Sequence, residues 1–159
     1  MTIRNIVVSF FLLLAFTSTA IAQNKPYVIG YDETKGLFAG VTFVHYDRGH
    51  GTQVEYMAKN GKTYLLYPGN KVVVRGTWKL ERTDKPKVFN LCFKYPDNSY
   101  NPITKQLGGG WECQPAGFAL TDVVDSVEGD ALGLAKRDAV PFVLSKRKAR
   151  LADLVRKVK

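Results

Sequence analysis

The chain has 159 residues and carries 23 Lys or Arg against 14 Asp or Glu, a formal net charge of +9. This length suits one domain with one core, so nothing requires a second domain. Nine of the basic residues follow residue 135, where the acidic residues are Asp138 and Asp153. The body of the chain is therefore close to neutral, and its end forms a cationic tail.

The N-terminus has the organisation of a secretory signal peptide. Arg4 supplies a positive charge, residues 6–16 (IVVSFFLLLAF) form an apolar run too short to span a bilayer, and Ala20 and Ala22 provide a small-x-small cleavage site. A retained anchor is the alternative, but the polar sequence that follows has no stop-transfer charge cluster. We predict that residues 1–22 are a signal peptide and that the protein is exported, either to the periplasm or outside the cell.

Residues 27–113 show a dominant period of two, which is typical of strands with one buried face. The dipeptide Asn60-Gly61 separates TQVEYMA from KTYLLY and is a strong hairpin signal. A second turn at residues 68–70 leads into VVVRGTWKLE, where one predicted face carries Val72, Val74, Gly76, Trp78 and Leu80. These segments predict three antiparallel strands in a meander.

The segment VFNLCFKY adds a further strand, with Phe89, Leu91, Phe93 and Tyr95 on one face and Cys92 on the other. About six to eight short strands separated by Gly, Pro and Asn predict an antiparallel β-barrel or a strongly curved sheet over residues 23–144. Residues 116–144 have no clean period. We expect mixed strand and loop there, closing one end of the barrel.

The last segment, residues 145–159, has the pattern of an amphipathic helix. Ser145 is placed to cap it, and Leu151, Leu154 and Val158 recur at helical spacing. Basic residues in its first turn oppose the helix dipole, so the helix start needs an acidic neighbour to be stable.

Cys92 and Cys113 are the only cysteines of an exported chain, which favours one disulfide. A redox pair needs two thiols within one helical turn, whereas about twenty residues intervene here. We predict a structural bond that closes the loop between them and stabilises the fold by about 3 kcal/mol.

The loop between the cysteines is also the predicted binding region. Gly108 to Gly110 lead into a strand rather than a helix, which argues against a phosphate site. Long ordered loops often carry binding residues, and aromatic and amide side chains can stack on or hydrogen-bond a ligand. The candidate ligand-binding residues are Tyr100, Asn101, Trp111 and Trp78.

Catalytic and metal motifs are weak. His45 and His50 flank Asp47, which offers fewer ligands than zinc requires, so we expect no metal and no cofactor. The serines after the signal peptide lie in no Gly-x-Ser-x-Gly elbow, and nothing singles out a carboxylate pair. We therefore expect no enzymatic activity.

The cationic tail suggests a second kind of partner. An exported protein seldom meets nucleic acid, so we expect none, and an anionic membrane or lipopolysaccharide surface is the natural polyanion. The alternative is that the apolar stripe of the helix packs on the barrel while its charges face water. The candidate anionic-surface residues are Lys146, Arg147, Lys148, Arg150, Arg156 and Lys157.

Two motifs carry a resemblance to known families. GTWKL, residues 76–80, resembles the Gly-x-Trp of lipocalin-type barrels, which implies a lipocalin-like or calycin-like barrel whose Trp closes one end. The longer pattern EYMAKNGKTYLLYPGNKVVVRGTWKL, LCFKY, SYNP and GGGWEC is similar to small exported proteins of alphaproteobacteria grouped as domains of unknown function. That resemblance covers residues 36–115 and implies a periplasmic or secreted β-rich domain with one disulfide, without catalytic residues.

These patterns together predict a non-enzymatic envelope protein that binds a small or polymeric ligand on a barrel-like domain, or serves as an accessory domain. A protein–protein or membrane-surface module acting through the basic helix is the alternative. A hydrolase of an envelope polymer is the second alternative.

Overall fold

The computed structural model describes residues 29–158. The predicted signal peptide, residues 1–22, lies outside the described residues. The central element is one seven-stranded antiparallel sheet in the order β6-β5-β4-β3-β2-β1-β7, curled into a half-barrel. Its strands are β1 Val41–Asp47, β2 Gly51–Met57, β3 Lys62–Leu66, β4 Val74–Arg82, β5 Phe89–Lys94, β6 Glu112–Pro115 and β7 Val123–Glu128.

The helices are short. They are α1 Tyr31–Phe38 and α2 Leu151–Arg156, with single 3-10 turns at Phe118–Leu120 and Leu134–Lys136. Within the described residues, no helix has the length and apolar character needed to cross a bilayer. The prediction of a mainly β, strongly curved antiparallel fold with a C-terminal helix is confirmed.

Helix α1 lies in a region where the sequence predicted strands, so that prediction is wrong for residues 31–38. The helix starts because the Glu33 carboxylate accepts a hydrogen bond from the Gly30 backbone N–H at 2.7 Å, which satisfies a free donor at the helix end. Its last residue, Phe38, is buried against Phe43 of β1. The helix therefore covers one end of the sheet.

The sheet has two buried faces, each with its own core. Phe43, Glu55 and Leu65 occupy paired positions on β1, β2 and β3 and so define the inner face. The apolar core on this face includes Phe38, Phe43, Met57, Trp78, Leu80 and Leu91. Over β1, β2 and β3 the outer face is covered by the C-terminal third of the chain, and its core includes Val44, Val54, Leu66, Leu134, Leu144 and Leu154.

The predicted meander is confirmed, with one difference at the start of β4. The hairpin between β2 and β3 turns at Gly61, whose φ is +79°. Strand β4 begins at Val74, and Val72 is 60% exposed. Val72 forms an isolated bridge with Ala139 of the C-terminal segment instead of pairing within the sheet.

The C-terminal helix is shorter than predicted and starts at Leu151, not at Ser145. The residues before it are non-helical and lie against β2, because the Thr52 hydroxyl donates to the Arg147 carbonyl at 2.7 Å and accepts from the Ala149 N–H at 3.1 Å. The Asp125 carboxylate then accepts from the Leu151 N–H at 3.1 Å and is the acidic neighbour that the helix start needs. Leu151 and Leu154 are buried.

The predicted disulfide is confirmed. Cys92 and Cys113 are bonded at an S–S distance of 2.04 Å and lie opposite each other on β5 and β6. The bond therefore joins neighbouring strands and closes the long loop between them. This loop stands over the open side of the half-barrel.

Candidate functional site

The inner face of the sheet and the loop between β5 and β6 enclose a cleft of about 890 Å³. Its lining combines apolar with polar and aromatic side chains, and the polar and aromatic ones include those of His50, Gln53, Glu55, Tyr67, Tyr100 and Asn101. A smaller pocket of about 220 Å³ shares His50, Gln53 and Glu55 with the cleft, so the cleft continues along β2.

The loop is held in place by its own backbone. The Gly108 N–H donates to the Ser99 carbonyl and the Gly109 N–H to the Tyr95 carbonyl, both at 2.9 Å. A Cβ on Gly108 would lie 2.1 Å from the Pro96 carbonyl oxygen, and Gly109 has a φ of +92°. Gly108 and Gly109 are thus required by the loop conformation, which explains them without a phosphate ligand.

Glu55 lies at the floor of the cleft and is only 8% exposed. Its Oε1 accepts hydrogen bonds from the Tyr95 hydroxyl at 2.5 Å and from the Thr63 hydroxyl at 2.7 Å. Its Oε2 has no hydrogen-bond partner among residues 29–158 and is not fully enclosed by them. One carboxyl oxygen is therefore fixed by the protein, and the other is left for the cleft.

Tyr95 reaches Glu55 because Gly76 carries no side chain. A Cβ on Gly76 would lie 2.8 Å from the Lys94 carbonyl oxygen and 2.8 Å from a ring carbon of Tyr95. The ring folds over β4 in this space and bridges from the end of β5 to β2. The hydrogen bond from Tyr95 to Glu55 thus spans the curl of the sheet.

Burial sets the protonation of this pair. Burial raises the pKa of Glu55, and the hydrogen bonds from Tyr95 and Thr63 offset only part of that shift. Burial also raises the pKa of Tyr95 well above its ordinary value, with further increases from the charges of Glu55 and Glu112. Burial therefore shifts both groups toward their neutral forms relative to exposed side chains of the same kind.

The two histidines lie near the same cleft. His50 Nδ1 is 2.9 Å from the Tyr67 hydroxyl, and the His50 backbone N–H donates to the Asp47 carboxylate at 2.8 Å. Burial lowers the pKa of His45, while Asp122 and Asp47 act in the opposite direction. His45 lines the smaller pocket.

The possible metal ligands do not form a coordinating set. Within residues 29–158, the one group of three potential ligands at metal-binding spacing is Glu81, Cys92 and Cys113. Both of these sulfurs are in the disulfide, so neither is a thiolate able to bind a metal.

Two of the four predicted ligand-binding residues lie at the cleft. Tyr100 and Asn101 line it, and the Tyr100 side chain is 55% exposed at its rim. Trp78 is buried in the inner core, where its Nε1 donates to the Ala58 carbonyl at 2.9 Å. Trp111 lies outside the cleft, with Lys79 Nζ at 4.6 Å from its ring centroid.

Sequence reasoning missed Glu55, Tyr95, His50 and Tyr67 as cleft residues. In the segment TQVEYMA, Gln53, Glu55 and Met57 are read as the polar face of a strand. Both faces of β2 are in fact buried, and Glu55 lies between inward-facing neighbours. The apolar Met57 on that supposedly polar face was the available signal.

The six predicted anionic-surface residues lie along the C-terminal segment, and most contact the protein. Lys146 Nζ donates to the Gly49 carbonyl at 3.2 Å, Lys148 Nζ lies 5.4 Å from the Tyr46 ring centroid, and Arg150 donates to the Val124 carbonyl. Arg156 pairs with Asp153, and Lys157 lies over Phe142. Arg147 is exposed. Their basic groups form a surface strip rather than one face of a helix.

The fold and site together define a class of structure, an antiparallel β half-barrel with a cleft on its inner face that is lined by apolar and a few polar side chains. No protein-family model, curated protein or solved structure matches this chain.

Proposed function

We propose that this protein is a non-enzymatic, exported envelope protein that binds a small molecule or a polymer segment in the cleft between the inner face and the β5–β6 loop. The observation that carries the proposal is the cleft of about 890 Å³ with Glu55 at its floor and Tyr100 at its rim. Ligand sites are usually largely apolar clefts of this size with a few fixed polar groups. The disulfide and the loop hydrogen bonds hold the rim in place before any ligand enters.

The ligand test is native mass spectrometry of the protein purified from a periplasmic extract without denaturation. We expect an adduct on the wild-type protein and loss of most of it in Tyr100→Ala, which removes the rim aromatic. Trp111→Ala is the matched control, because it deletes an exposed aromatic of the same loop that lies outside the cleft. An adduct lost equally in both variants, or absent from all of them, contradicts cleft binding.

A second candidate function is contact with an anionic lipid surface through the basic strip. The exposed side chains of Lys146, Arg147 and Lys148 favour it, since each basic group near an anionic membrane contributes about 1 kcal/mol. Leu151 and Leu154 are buried in the outer core, so the attraction rests on charge rather than on lipid insertion. Deletion of residues 145–159 would open the core and is not an informative test.

The sharper test replaces Lys146, Arg147 and Lys148 by Gln and measures sedimentation with phosphatidylglycerol vesicles. We expect binding that falls with added salt and is lost in this triple variant. The matched control replaces three exposed lysines elsewhere by Gln, namely Lys62, Lys85 and Lys105. Equal loss in both triples indicates only an effect of net charge and removes the assignment to the strip.

A further inference from the structure

We propose that the cleft binds a linear aliphatic polyamine, whose ammonium groups pair with the carboxylates of Glu55 and Glu112. This inference rests on the proposed function of the cleft and names the class of its ligand.

The lining of the cleft is acidic, although the chain as a whole has a formal net charge of +9. Its carboxyl groups are those of Glu55 and Glu112 in the cleft and of Asp47 and Asp122 in the smaller pocket. Arg75 is the one Lys or Arg among the described lining residues, and its Nη2 already contacts Asp138 and the Arg137 carbonyl. His45 and His50 are the other basic side chains of the lining, and neither is a permanent cation. The lining therefore attracts a positively charged ligand.

Glu55 provides a buried acceptor that is held in place. It is only 8% exposed, and the hydroxyls of Tyr95 and Thr63 hold its Oε1, which leaves Oε2 without a partner among residues 29–158. An ammonium N–H at this position supplies both the missing hydrogen bond and an opposite charge. Burial raises the pKa of Glu55, and an ammonium within about 4 Å acts against that shift because it favours the ionised carboxylate.

Glu112 supplies a second negative charge near the first. It lies directly opposite Phe93 in the pairing of β5 with β6, and Phe93 packs against the core of the inner face. The charge of Glu112 acts on the Tyr95 hydroxyl, which itself donates to Glu55, so the two carboxyl groups share one region of the cleft. Glu112 is exposed and forms no ion pair within the described part of the chain. A cation in this region is therefore attracted by both carboxylates.

The tyrosine rings of the cleft are also free to contact a cation. Tyr67 and Tyr100 line it, and among the described residues no Lys or Arg lies over either ring. Elsewhere the protein covers rings with its own cations, as where Lys79 Nζ lies 4.6 Å from the Trp111 ring centroid. An ammonium group over a tyrosine ring is attracted to its face, and the neighbouring methylene groups pack on the same surface.

The spacing of the acidic residues favours an elongated cation over a metal ion. Asp47 lies four residues beyond Phe43, the partner of Glu55 on β1, so Asp47 and Glu55 are about 13 Å apart along the sheet. Within residues 29–158, none of the lining carboxylates belongs to a group of three ligands at metal-binding spacing. The cleft also has apolar lining, including Leu65 and Val74, on which a methylene chain can pack. A linear polyamine combines separated ammonium groups with such a chain.

The experiment measures binding by calorimetry at about 0.15 M salt, where attraction by distant exposed charges is largely screened. The probes are spermidine, uncharged triethylene glycol of similar length, and magnesium chloride. For wild type we expect saturable binding of spermidine alone. Glu55→Gln and Glu112→Gln should each weaken it by about tenfold or more, because each removes one charge-assisted contact. Glu55→Gln keeps an acceptor oxygen for Tyr95 and Thr63, and Glu112→Gln changes an exposed side chain, so both variants should fold.

Glu128→Gln is the control, because it removes an exposed carboxylate of β7 that lies outside the lining, and it should bind spermidine as wild type does. Equal affinity of the three variants, whether retained or weakened, would overturn the proposal. Triethylene glycol that binds as tightly as spermidine, or magnesium binding that depends on Glu55 and Glu112, would overturn it too. If no probe binds while the Tyr100-dependent adduct persists, the polyamine assignment fails and the cleft function stands. If the adduct is absent as well, both fail.

Discussion

At the scale of single residues, the contact between Tyr95 and Glu55 is the main polar link across the half-barrel. We expect Tyr95→Phe to lower the free energy of unfolding by about 2 kcal/mol, because it removes a donor from a buried carboxyl oxygen. Urea unfolding at neutral pH measures this change. Tyr56→Phe is the control, since the Tyr56 hydroxyl has no hydrogen-bond partner among the described residues and its loss should change stability by less than about 0.5 kcal/mol. Equal effects in the two variants would contradict the role of the Tyr95 hydroxyl.

The raised pKa of Glu55 predicts how stability depends on pH. The folded state holds this proton more tightly than the unfolded chain, whose glutamates titrate near about 4.3. The contribution of Glu55 is therefore fully present below that value and is lost as pH rises through the folded pKa. The effect of His45 on stability has the opposite sign, because burial lowers its pKa in the folded state. Its contribution to the unfolding free energy therefore increases as pH rises toward the pKa of histidine in the unfolded chain.

Comparison of wild type with Glu55→Gln isolates the carboxyl, since both proteins retain His45. We expect the difference in unfolding free energy to shift in favour of the Gln variant as pH rises from about 4 to about 8. Chemical denaturation at several pH values in this range gives the curve. A constant difference would mean that Glu55 titrates alike in the folded and unfolded states.

The properties of single residues also explain why only half of the site was predicted. Tyr100 and Asn101 lie in a long loop of Pro, Asn and Gly, and such composition identifies exposed binding candidates. Glu55 required knowledge that both faces of β2 are covered, which is a property of the assembled sheet. The space at Gly76 that admits Tyr95 likewise exists only once β4 and β5 pair.

At the scale of elements, Thr52 fixes the segment that precedes α2. Its buried hydroxyl serves both the Arg147 carbonyl and the Ala149 N–H. We expect Thr52→Val to cost about 2 kcal/mol, because it leaves two backbone groups unpaired while keeping the side-chain shape. Hydrogen exchange at Ala149 should quicken together with the fall in stability. Thr52→Ser keeps the hydroxyl, so it should preserve protection at Ala149; equal loss in both variants would assign the effect to the methyl group.

The same element explains why the helix was predicted too long. The spacing of Leu151 and Leu154 correctly indicated helix and burial, whereas Val158 lies beyond the end of α2. The bonds that hold residues 147–149 against β2 come from Thr52, about a hundred positions earlier. Local propensity decides less than such a tertiary contact, particularly where three cations oppose the helix dipole.

At the scale of the whole molecule, the two-residue period of the strands and the turn residues were enough to predict a curved antiparallel sheet. The order of the strands in that sheet is known only from the folded structure. The meander of β2, β3 and β4 was predictable because short turns make neighbouring strands pair. The return of β7 to the far edge beside β1 was not predictable, since about eighty residues separate them and residues 116–144 lack a clear period. Covering of the outer face by the C-terminal third depends on that return.

The disulfide holds both the edge strand β6 and the rim of the cleft in place. Replacing both cysteines by Ala should lower the unfolding free energy by about 3 kcal/mol, the value expected for a sequence separation of 21 residues. If the disulfide acts mainly on the unfolded chain, its loss lets that chain expand and expose more surface. The slope of the unfolding free energy against urea concentration should then increase, while the folded cleft stays intact. Urea titration of the wild-type and double-Ala proteins measures both quantities. A loss below about 1 kcal/mol with an unchanged slope would instead show that the hydrogen bonds of Gly108 and Gly109 already close the loop in both states.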